Sequence, residues 1–337
     1  MRKAGLDLCR ILACLAVVTV HTVMLFWDID PAAPAWAVWN CLTLVVRLGV
    51  PLFFVISGAL LLGREKLDLR RHLRRTLHLI LLYYAWSVIC RGVDACCGRV
   101  WMDGTPLGLL ILRGYYHLWF LPAMAMCYCA VPLLHGLAQG DEKNLRAGAL
   151  LLAAIVTVLL TLEAVPDKPA WFQALLSPYR LDNYCYLSLF FLGRLLTLRP
   201  LSGRKLTWLG LAALASALLF SRLNRLAALR AGAPVEAYYG NITVSSVLLA
   251  CFVFALCLRL EERAAKHAAL LRTLSGCTLG VYLLHPVFID LFRGQRLDLS
   301  AYSAVWLFPV CYLAFVFLPL GVTLVLKKLP FLRELVS

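Results

Sequence analysis

The stretch LDLCRILACLAVVTVHTVMLFW, residues 6–27, decides the fold class. It is apolar over the roughly 20 residues that a helix needs to cross the hydrocarbon core of a bilayer. Three ionisable side chains interrupt it: Asp7, Arg10 and His21. Ionisable groups inside a membrane helix are costly and by default mark a functional site. The stretch therefore predicts a membrane helix that carries part of a polar site.

The composition extends this prediction to the whole chain. Of the 337 residues, 62% are hydrophobic and 15% are charged, whereas a soluble domain is about half apolar and a quarter charged. The mean hydropathy is +0.81. Interruptions between apolar runs stay below about 25 residues, too short for a soluble domain. We expect an all-α polytopic helix bundle that forms one membrane domain over residues 1–337.

The apolar runs predict about ten transmembrane helices, because they are continuous rather than alternating as in membrane strands. The predicted spans are 6–27, 36–62, 76–91, 117–138, 147–165, 183–198, 206–221, 241–260, 275–292 and 302–326. The first run is longer than the core of a signal peptide and is interrupted by charge, which favours an uncleaved helix.

Lys and Arg are distributed unequally over the loops of this ten-helix arrangement. The segments on the N-terminal side hold 20 of them and the opposite segments hold 10. Cytoplasmic loops of membrane proteins collect positive residues, so both termini are predicted to be cytoplasmic. The strongest contribution is REKLDLRRHLRR, residues 64–75, which indicates a basic loop at the lipid headgroups.

The net charge of +15 has the same origin and does not indicate nucleic-acid binding. No basic stretch is interleaved with aromatic residues in the manner of a strand-binding groove. Most of the 13 cysteines lie in apolar runs, where Cys acts as a small hydrophobe. Since no two CxxC pairs have zinc-site spacing, we predict no metal site.

Arg10 and His21 share one face of the first helix, because eleven residues make about three turns. They are about 16 Å apart along the axis, and Asp7 is one turn from Arg10 and suited to pair with it. A cation near the cytoplasmic mouth suits an anionic ligand, and a neutral imidazole further out suits proton transfer. The alternative is an arginine that extends to the headgroups and a histidine bonded within the bundle.

Further polar residues lie in or beside other predicted spans. His117 begins the fourth and His285 lies in the ninth, while Arg47 and Ser57 lie in the second. Each histidine alone is more typical of a hydrogen-bonded residue within the bundle than of a site, and Ser57 is more typical of simple helix packing. The remaining histidines are interpreted as ordinary loop or interface residues: His72, His78, His135 and His267.

Five motifs, in order along the chain, resemble the acyltransferase-3 family of integral membrane acyltransferases. They are LDLCR with the spacing of Arg10 and His21, VPLFFVISGALL (50–61), RRHLRRTLHLILLYYAWS (70–87), HLWFLPAM (117–124) and LGVYLLHP (279–286). The third lacks a proline often found there, and Leu79 or Ile80 stands in its place. The branch that it resembles includes the enterobacterial common antigen O-acetyltransferases.

This resemblance implies ten helices and acyl transfer, usually from acetyl-CoA as a co-substrate, to a hydroxyl of an extracytoplasmic or lipid-linked glycan. It implies a multi-pass protein of the bacterial plasma membrane, with acyl-CoA, a saccharide acceptor and membrane lipids as partners. Carried onto this chain, it makes Arg10 and His21 the essential pair, with His21 as the catalytic base.

The geometry of the first helix is compatible with this chemistry. A coenzyme A phosphate held by Arg10 and by the basic residues Arg71, Arg74 and Arg75 would let the thioester reach His21. Tyr282, Trp119 or His117 would donate to the oxyanion. No Ser-His-Asp order is visible, so direct transfer is preferred over an acyl-enzyme. The alternatives are a transporter or flippase of lipid-linked sugars and a non-catalytic membrane sensor.

Overall fold

A computed structural model describes residues 3–97, 105–140, 143, 155, 169–294 and 304–337. Within these ranges the regular structure is entirely helical and contains no strand, which confirms the predicted all-α class. The α-helices are α1 (Ala4–Val23), α2 (Pro34–Val46), α3 (Gly49–Leu61), α4 (Leu69–Cys96), α5 (Leu107–Arg113), α6 (Phe120–Gln139), α7 (Ala170–Leu176), α8 (Leu187–Leu198), α9 (Gly203–Ala231), α10 (Val244–Arg259), α11 (Glu261–Ala265), α12 (Ala268–Gly294) and α13 (Ala304–Leu326). Short 3₁₀ turns cover Met24–Phe26, Leu181–Tyr186 and Arg333–Leu335.

Seven helical stretches among the described residues are long and apolar enough to cross a membrane. They are Ala4–Phe26, Pro34–Leu61, Leu69–Cys96, Phe120–Gln139, Gly203–Ala231, Ala268–Arg293 and Trp306–Leu326. Helix α10 is apolar but has only 16 residues, and α8 has 12. The predicted span 147–165 lies outside the described residues except for position 155.

The second predicted span is not one continuous helix. Helix α2 ends at Val46 and α3 begins at Gly49, so Arg47 lies in a turn between two helices. The reason is Pro51, which has no N–H for the carbonyl four residues before it and whose ring disfavours a regular helix there. The prediction that placed Arg47 within a helix is wrong at this point.

Two other predicted boundaries are also wrong. The basic segment is not a loop throughout, because α4 begins at Leu69 and the Asp68 side chain caps it by accepting from the Arg71 N–H at 3.0 Å. Asp is a preferred N-cap residue, and such a cap satisfies an amide that has no partner within the helix. Helix α9 continues to Ala231, so residues 222–231 are helical rather than part of a loop.

The chain divides into two compact units. The first comprises Met1–Ser57 and Leu192–Ser337, and the second comprises Gly58–Phe191. The expectation of a single membrane domain over residues 1–337 stays a prediction.

In the first unit, α1 lies at the centre and packs against α10, α12 and α13. One apolar cluster joins α1, α12 and α13 through the buried residues Cys14, Val18, Val281, Ile289, Cys311 and Phe315. A second cluster is built largely of aromatic rings: Phe26, Trp27, Trp36, Trp39 and Tyr239, with Val23, Leu44 and Ala228. These contacts fix α1, and with it the polar residues that the sequence singles out.

In the second unit, α4 packs against α6. The helix backbone at Gly58 meets the backbone of Phe190 so closely that a Cβ at position 58 would overlap it. Gly58 therefore serves close helix packing, as small residues do at helix interfaces in membranes.

Candidate active site

The N-terminal end of α1 carries a buried ion pair. An Asp7 carboxylate oxygen accepts from Arg10 Nη1 at 3.2 Å and from Ser275 Oγ at 2.8 Å. Asp7 is buried, while 28% of the Arg10 side chain remains exposed. The pairing of Asp7 with Arg10 is the one that their helical spacing predicts. The Arg10 side chain is therefore paired with Asp7 but remains partly exposed.

The start of α1 is held by Glu261. Its two carboxylate oxygens accept from the Ala4 N–H at 2.9 Å and the Gly5 N–H at 2.7 Å. A carboxylate at this end satisfies free amides and complements the positive end of the helix dipole. A Cβ at Gly5 would overlap the carbonyl oxygen of Cys257, so α1 and α10 are in close contact here. This fixes the position of the turn that carries Asp7 and Arg10.

The other end of α1 brings two histidines together. The ring centroids of His21 and His285 are 5.2 Å apart, with their planes tilted by 50°. His285 is fully buried on α12, and His21 is half-buried in the last turn of α1. These two residues are 264 positions apart in the sequence and belong to the same unit. The contact places the imidazole of His285 beside His21, the predicted base.

A backbone hydrogen bond orients the His285 ring. Its Nδ1 lies 3.0 Å from the carbonyl oxygen of Val281. A carbonyl only accepts, so Nδ1 of the neutral ring carries the proton and Nε2 carries the lone pair. The Tyr282 ring centroid is 6.3 Å from that of His285. The structure thus places three predicted site residues, His21, His285 and Tyr282, in one neighbourhood.

Two arginines act on this neighbourhood. The charges of Arg47 and Arg293 both influence His21. Arg293, at the end of α12, donates to the carbonyl of Met24 at 3.4 Å. Met24 directly follows the last turn of α1, so this bond ties the end of α12 to the turn that carries His21.

Arg47 is anchored by the segment between α9 and α10. Its guanidinium forms an ion pair with Glu236 at 3.1 Å and lies 5.1 Å from the centre of the Tyr239 ring. Tyr239 donates to Asn40 Oδ1 at 2.6 Å, and Asn224 donates to the same atom at 2.8 Å. Burial raises the pKa of the Tyr239 phenol, more than the nearby Arg47 lowers it. Tyr239 therefore remains a donor, and Arg47 is held in a defined position.

The other predicted site residues lie elsewhere. His117 and Trp119 belong to the second unit. His117 is buried, and its ring centroid is 5.8 Å from that of Tyr115. The ring centroid of Trp119 is 6.1 Å from that of Tyr186. Ser57 is half-buried on α3. The basic residues Arg71, Arg74 and Arg75 are exposed in the first two turns of α4. Their proposed roles stay predictions.

Two histidines interpreted as loop or interface residues are in fact buried. His72 Nε2 lies 2.8 Å from the carbonyl oxygen of Tyr128, and His135 Nε2 lies 2.9 Å from that of Arg64. The interpretation of these two residues as loop or interface residues is wrong. His72 is buried because α4 begins before it, and both rings contact the backbone of a neighbouring segment. His267, by contrast, is exposed and His78 is half-buried.

The sequence analysis missed Ser275 and Arg293, although α12 carried a readable signal. Ser275, Tyr282 and His285 recur at intervals of seven and three residues, which places them on one helical face. In the described part of the chain, no group of three or more His, Cys, Asp or Glu residues is arranged to hold a metal ion.

Comparison with known proteins gives two matches. The profile of a family described as an acyltransferase domain matches residues 3–327. An amino-acid racemase of Enterococcus faecalis is 34% identical over 143 residues, which are 40% of this chain and 20% of that protein. The chain thus spans about a fifth of that relative's length. No solved structure matches the chain.

Proposed function

The chain belongs to the acyltransferase-3 family of membrane acyltransferases, and from this premise we propose that it transfers an acyl group from acyl-CoA to a glycan hydroxyl. The protein is a multi-pass membrane acyltransferase. Acetyl is the proposed acyl group, and the proposed acceptor is an extracytoplasmic or lipid-linked saccharide. One observation carries the proposal: His21, which lies on the same helix as Arg10, contacts the ring of His285.

In the proposed reaction, His21 takes the proton of the acceptor hydroxyl while the hydroxyl oxygen attacks the thioester carbonyl. A carbon–oxygen bond forms, the carbon–sulfur bond breaks, and coenzyme A leaves as a thiolate that receives the proton from His21. Direct transfer needs no covalent acyl-enzyme. His285 is a positioning residue: its ring is fixed by the Val281 carbonyl and holds the His21 ring in place.

The donor is proposed to bind at the Arg10 end of α1. The Arg10 side chain remains 28% exposed beside its ion pair with Asp7, and a guanidinium is well suited to a phosphate. The rise of α1 from Arg10 to His21 is about 16 Å, comparable to the reach of the pantetheine arm. The exposed Arg71, Arg74 and Arg75 would add long-range attraction for coenzyme A.

The tetrahedral intermediate needs hydrogen-bond donors for its oxyanion. Tyr282 is the proposed donor from the first unit, because its ring lies beside His285. His117 and Trp119 stay the alternative candidates that the sequence offers. We further propose that the enzyme resides in a bacterial plasma membrane with both termini in the cytoplasm, from the asymmetry of Lys and Arg in its loops.

The test is acyl transfer by the purified full-length protein in lipid nanodiscs. Acetyl-CoA carrying a labelled acetyl group is supplied with a lipid-linked or soluble glycan, and labelled glycan and free coenzyme A are measured together. We expect coenzyme A release that depends on the acceptor, is lost in His21→Asn and is retained in His267→Asn, the exposed control. Movement of the lipid-linked sugar across the bilayer without coenzyme A release would instead identify a flippase and contradict the proposal.

A further inference from the structure

An apolar groove follows the contact between α9 and α10 and is not part of the candidate active site. It has a volume of about 560 Å³. The α9–α10 groove is lined by Leu206, Thr207, Gly210, Leu211 and Leu214 of α9 and by Leu249, Phe252 and Leu256 of α10. Gly210 makes room for the Phe252 ring, since a Cβ there would come within 2.7 Å of it. Leu211 and Leu214 are each 51% exposed, so the groove is open to the surroundings of the helices at these residues.

A second cavity of about 220 Å³ begins within one turn of α10 from this groove. Leu256 lines the groove, and Ala255, Leu258 and Arg259 line the cavity. Lys3 and Thr197 contribute to the cavity as well. We call this space the cationic cavity, because Lys3 and Arg259 supply two positive charges to its wall.

Further positive charge gathers at the same end of the groove. The Arg259 guanidinium lies against the first residue of α9, 3.3 Å from the position of a Cβ on Gly203. Arg204 and Lys205 follow directly and are exposed. The groove thus runs from a basic end at Arg259 into an apolar channel along α9.

These cations outnumber the acidic side chains in the cavity wall. None of the ion pairs formed among the described residues includes Lys3, Arg204, Lys205 or Arg259. Glu261 is the one acidic residue in the cavity wall, and both of its oxygens already accept from the amides of α1. A cavity with this excess of positive charge favours an anion.

We propose that the α9–α10 groove and the cationic cavity bind an anionic phospholipid. Its phosphate lies among Lys3, Arg204 and Arg259, and one acyl chain lies along the groove. The groove from Leu206 to Leu214 rises about 12 Å, most of the roughly 15 Å that one leaflet contributes to the hydrocarbon core. Basic residues at the membrane surface attract anionic lipids, so both the charge and the depth fit one lipid of the adjacent leaflet.

The experiment measures lipid retained by the purified full-length protein. Wild-type protein is equilibrated in mixed micelles of phosphatidylglycerol and phosphatidylcholine, and bound lipid is counted by native mass spectrometry. We expect preferential retention of phosphatidylglycerol, weakened about fivefold for each cation removed in Lys3→Gln and Arg259→Gln. Leu214→Trp, which fills the groove, should lower retention, whereas the controls Arg230→Gln and Leu218→Trp on the same helix should not.

The salt dependence of the wild type supplies a test that needs no variant. Raising the salt concentration should weaken retention of phosphatidylglycerol and leave that of phosphatidylcholine unchanged. Equal retention of both lipids by the wild type, or an unchanged preference in monodisperse Arg259→Gln, would overturn the proposal. So would full competition by inorganic phosphate together with normal retention in Leu214→Trp, which would identify a site for free phosphate.

Discussion

Two histidines of the first unit and two of the second differ in what their rings contact. In the second unit, His72 and His135 each reach a backbone carbonyl of another segment, at 2.8 and 2.9 Å. In the first unit, His21 and His285 lie ring to ring at 5.2 Å, near two arginines. Burial does not separate the two kinds, because His135 and His285 are both 0% exposed.

The difference shows which histidines suit proton transfer. A ring whose Nε2–H donates to a distant carbonyl links two segments and serves as a neutral donor. A ring that lies against a second imidazole, on the helix that also carries Arg10, suits the proposed proton transfer. On this comparison, substitutions of His21 and His285 should alter the rate, and substitutions of His72 and His135 should alter the stability.

The largest effect is expected from His21→Asn. Asn has nearly the same size and still forms hydrogen bonds, but it does not act as a base near neutral pH. Single-turnover acyl transfer should slow by about 10²–10⁴-fold, while coenzyme A affinity and thermal unfolding stay near wild type. A rate close to wild type, with loss of activity in His117→Asn, would move the base to the second unit.

The next effect is expected from Arg10→Ala. Removing a charged hydrogen-bond partner costs about 1.5–3 kcal/mol, so calorimetry should show coenzyme A binding about 10- to 100-fold weaker. Asp7→Asn serves as the counterpart, because it keeps the Arg10 charge and a hydrogen-bond acceptor but removes the negative charge of the partner. Unchanged binding in Arg10→Ala would show that the donor phosphates lie elsewhere.

His135→Ala should act on stability alone. It leaves the buried carbonyl of Arg64 without the bond seen here, which costs about 1–3 kcal/mol in the free energy of unfolding. Unfolding in detergent measures the loss, and the transfer rate per folded molecule should remain at the wild-type level. A slower rate in fully folded protein would break the division between the two kinds of histidine.

The smallest effects are expected from Arg71→Gln, Arg74→Gln and Arg75→Gln. All three side chains are exposed, so each contributes at most about 1 kcal/mol to binding an anion. Their effects on coenzyme A affinity should add and should fade as salt is raised. Loss of binding from a single one of them at high salt would mean a defined phosphate site on α4.

Local patterns were sufficient for most helices and for the Asp7–Arg10 pair. Hydropathy predicted the long helices, and helical spacing placed Arg10 and Asp7 one turn apart. Boundaries depended on single residues: Pro51 separates α2 from α3, and Asp68 begins α4. These signals were present in the sequence but were outweighed by continuous apolar or basic runs.

The candidate site depended on contacts that no local pattern contains. The approach of His285 to His21 follows from the packing of α12 on α1, between residues far apart in the chain. The bond from Ser275 to Asp7 arises from the same packing. Likewise, the bonds of His72 and His135 to carbonyls of other segments required the folded structure, so their burial was not foreseen.

The most direct test of the account is a double-mutant cycle on His21 and His285. Residues that act as one unit show strongly non-additive effects. Single-turnover acyl transfer is measured for wild type, His21→Asn, His285→Asn and the double variant, each monodisperse and folded. The account predicts that His285→Asn slows the wild type but slows His21→Asn no further. Losses that multiply in the double variant would contradict the claim that the two histidines work together.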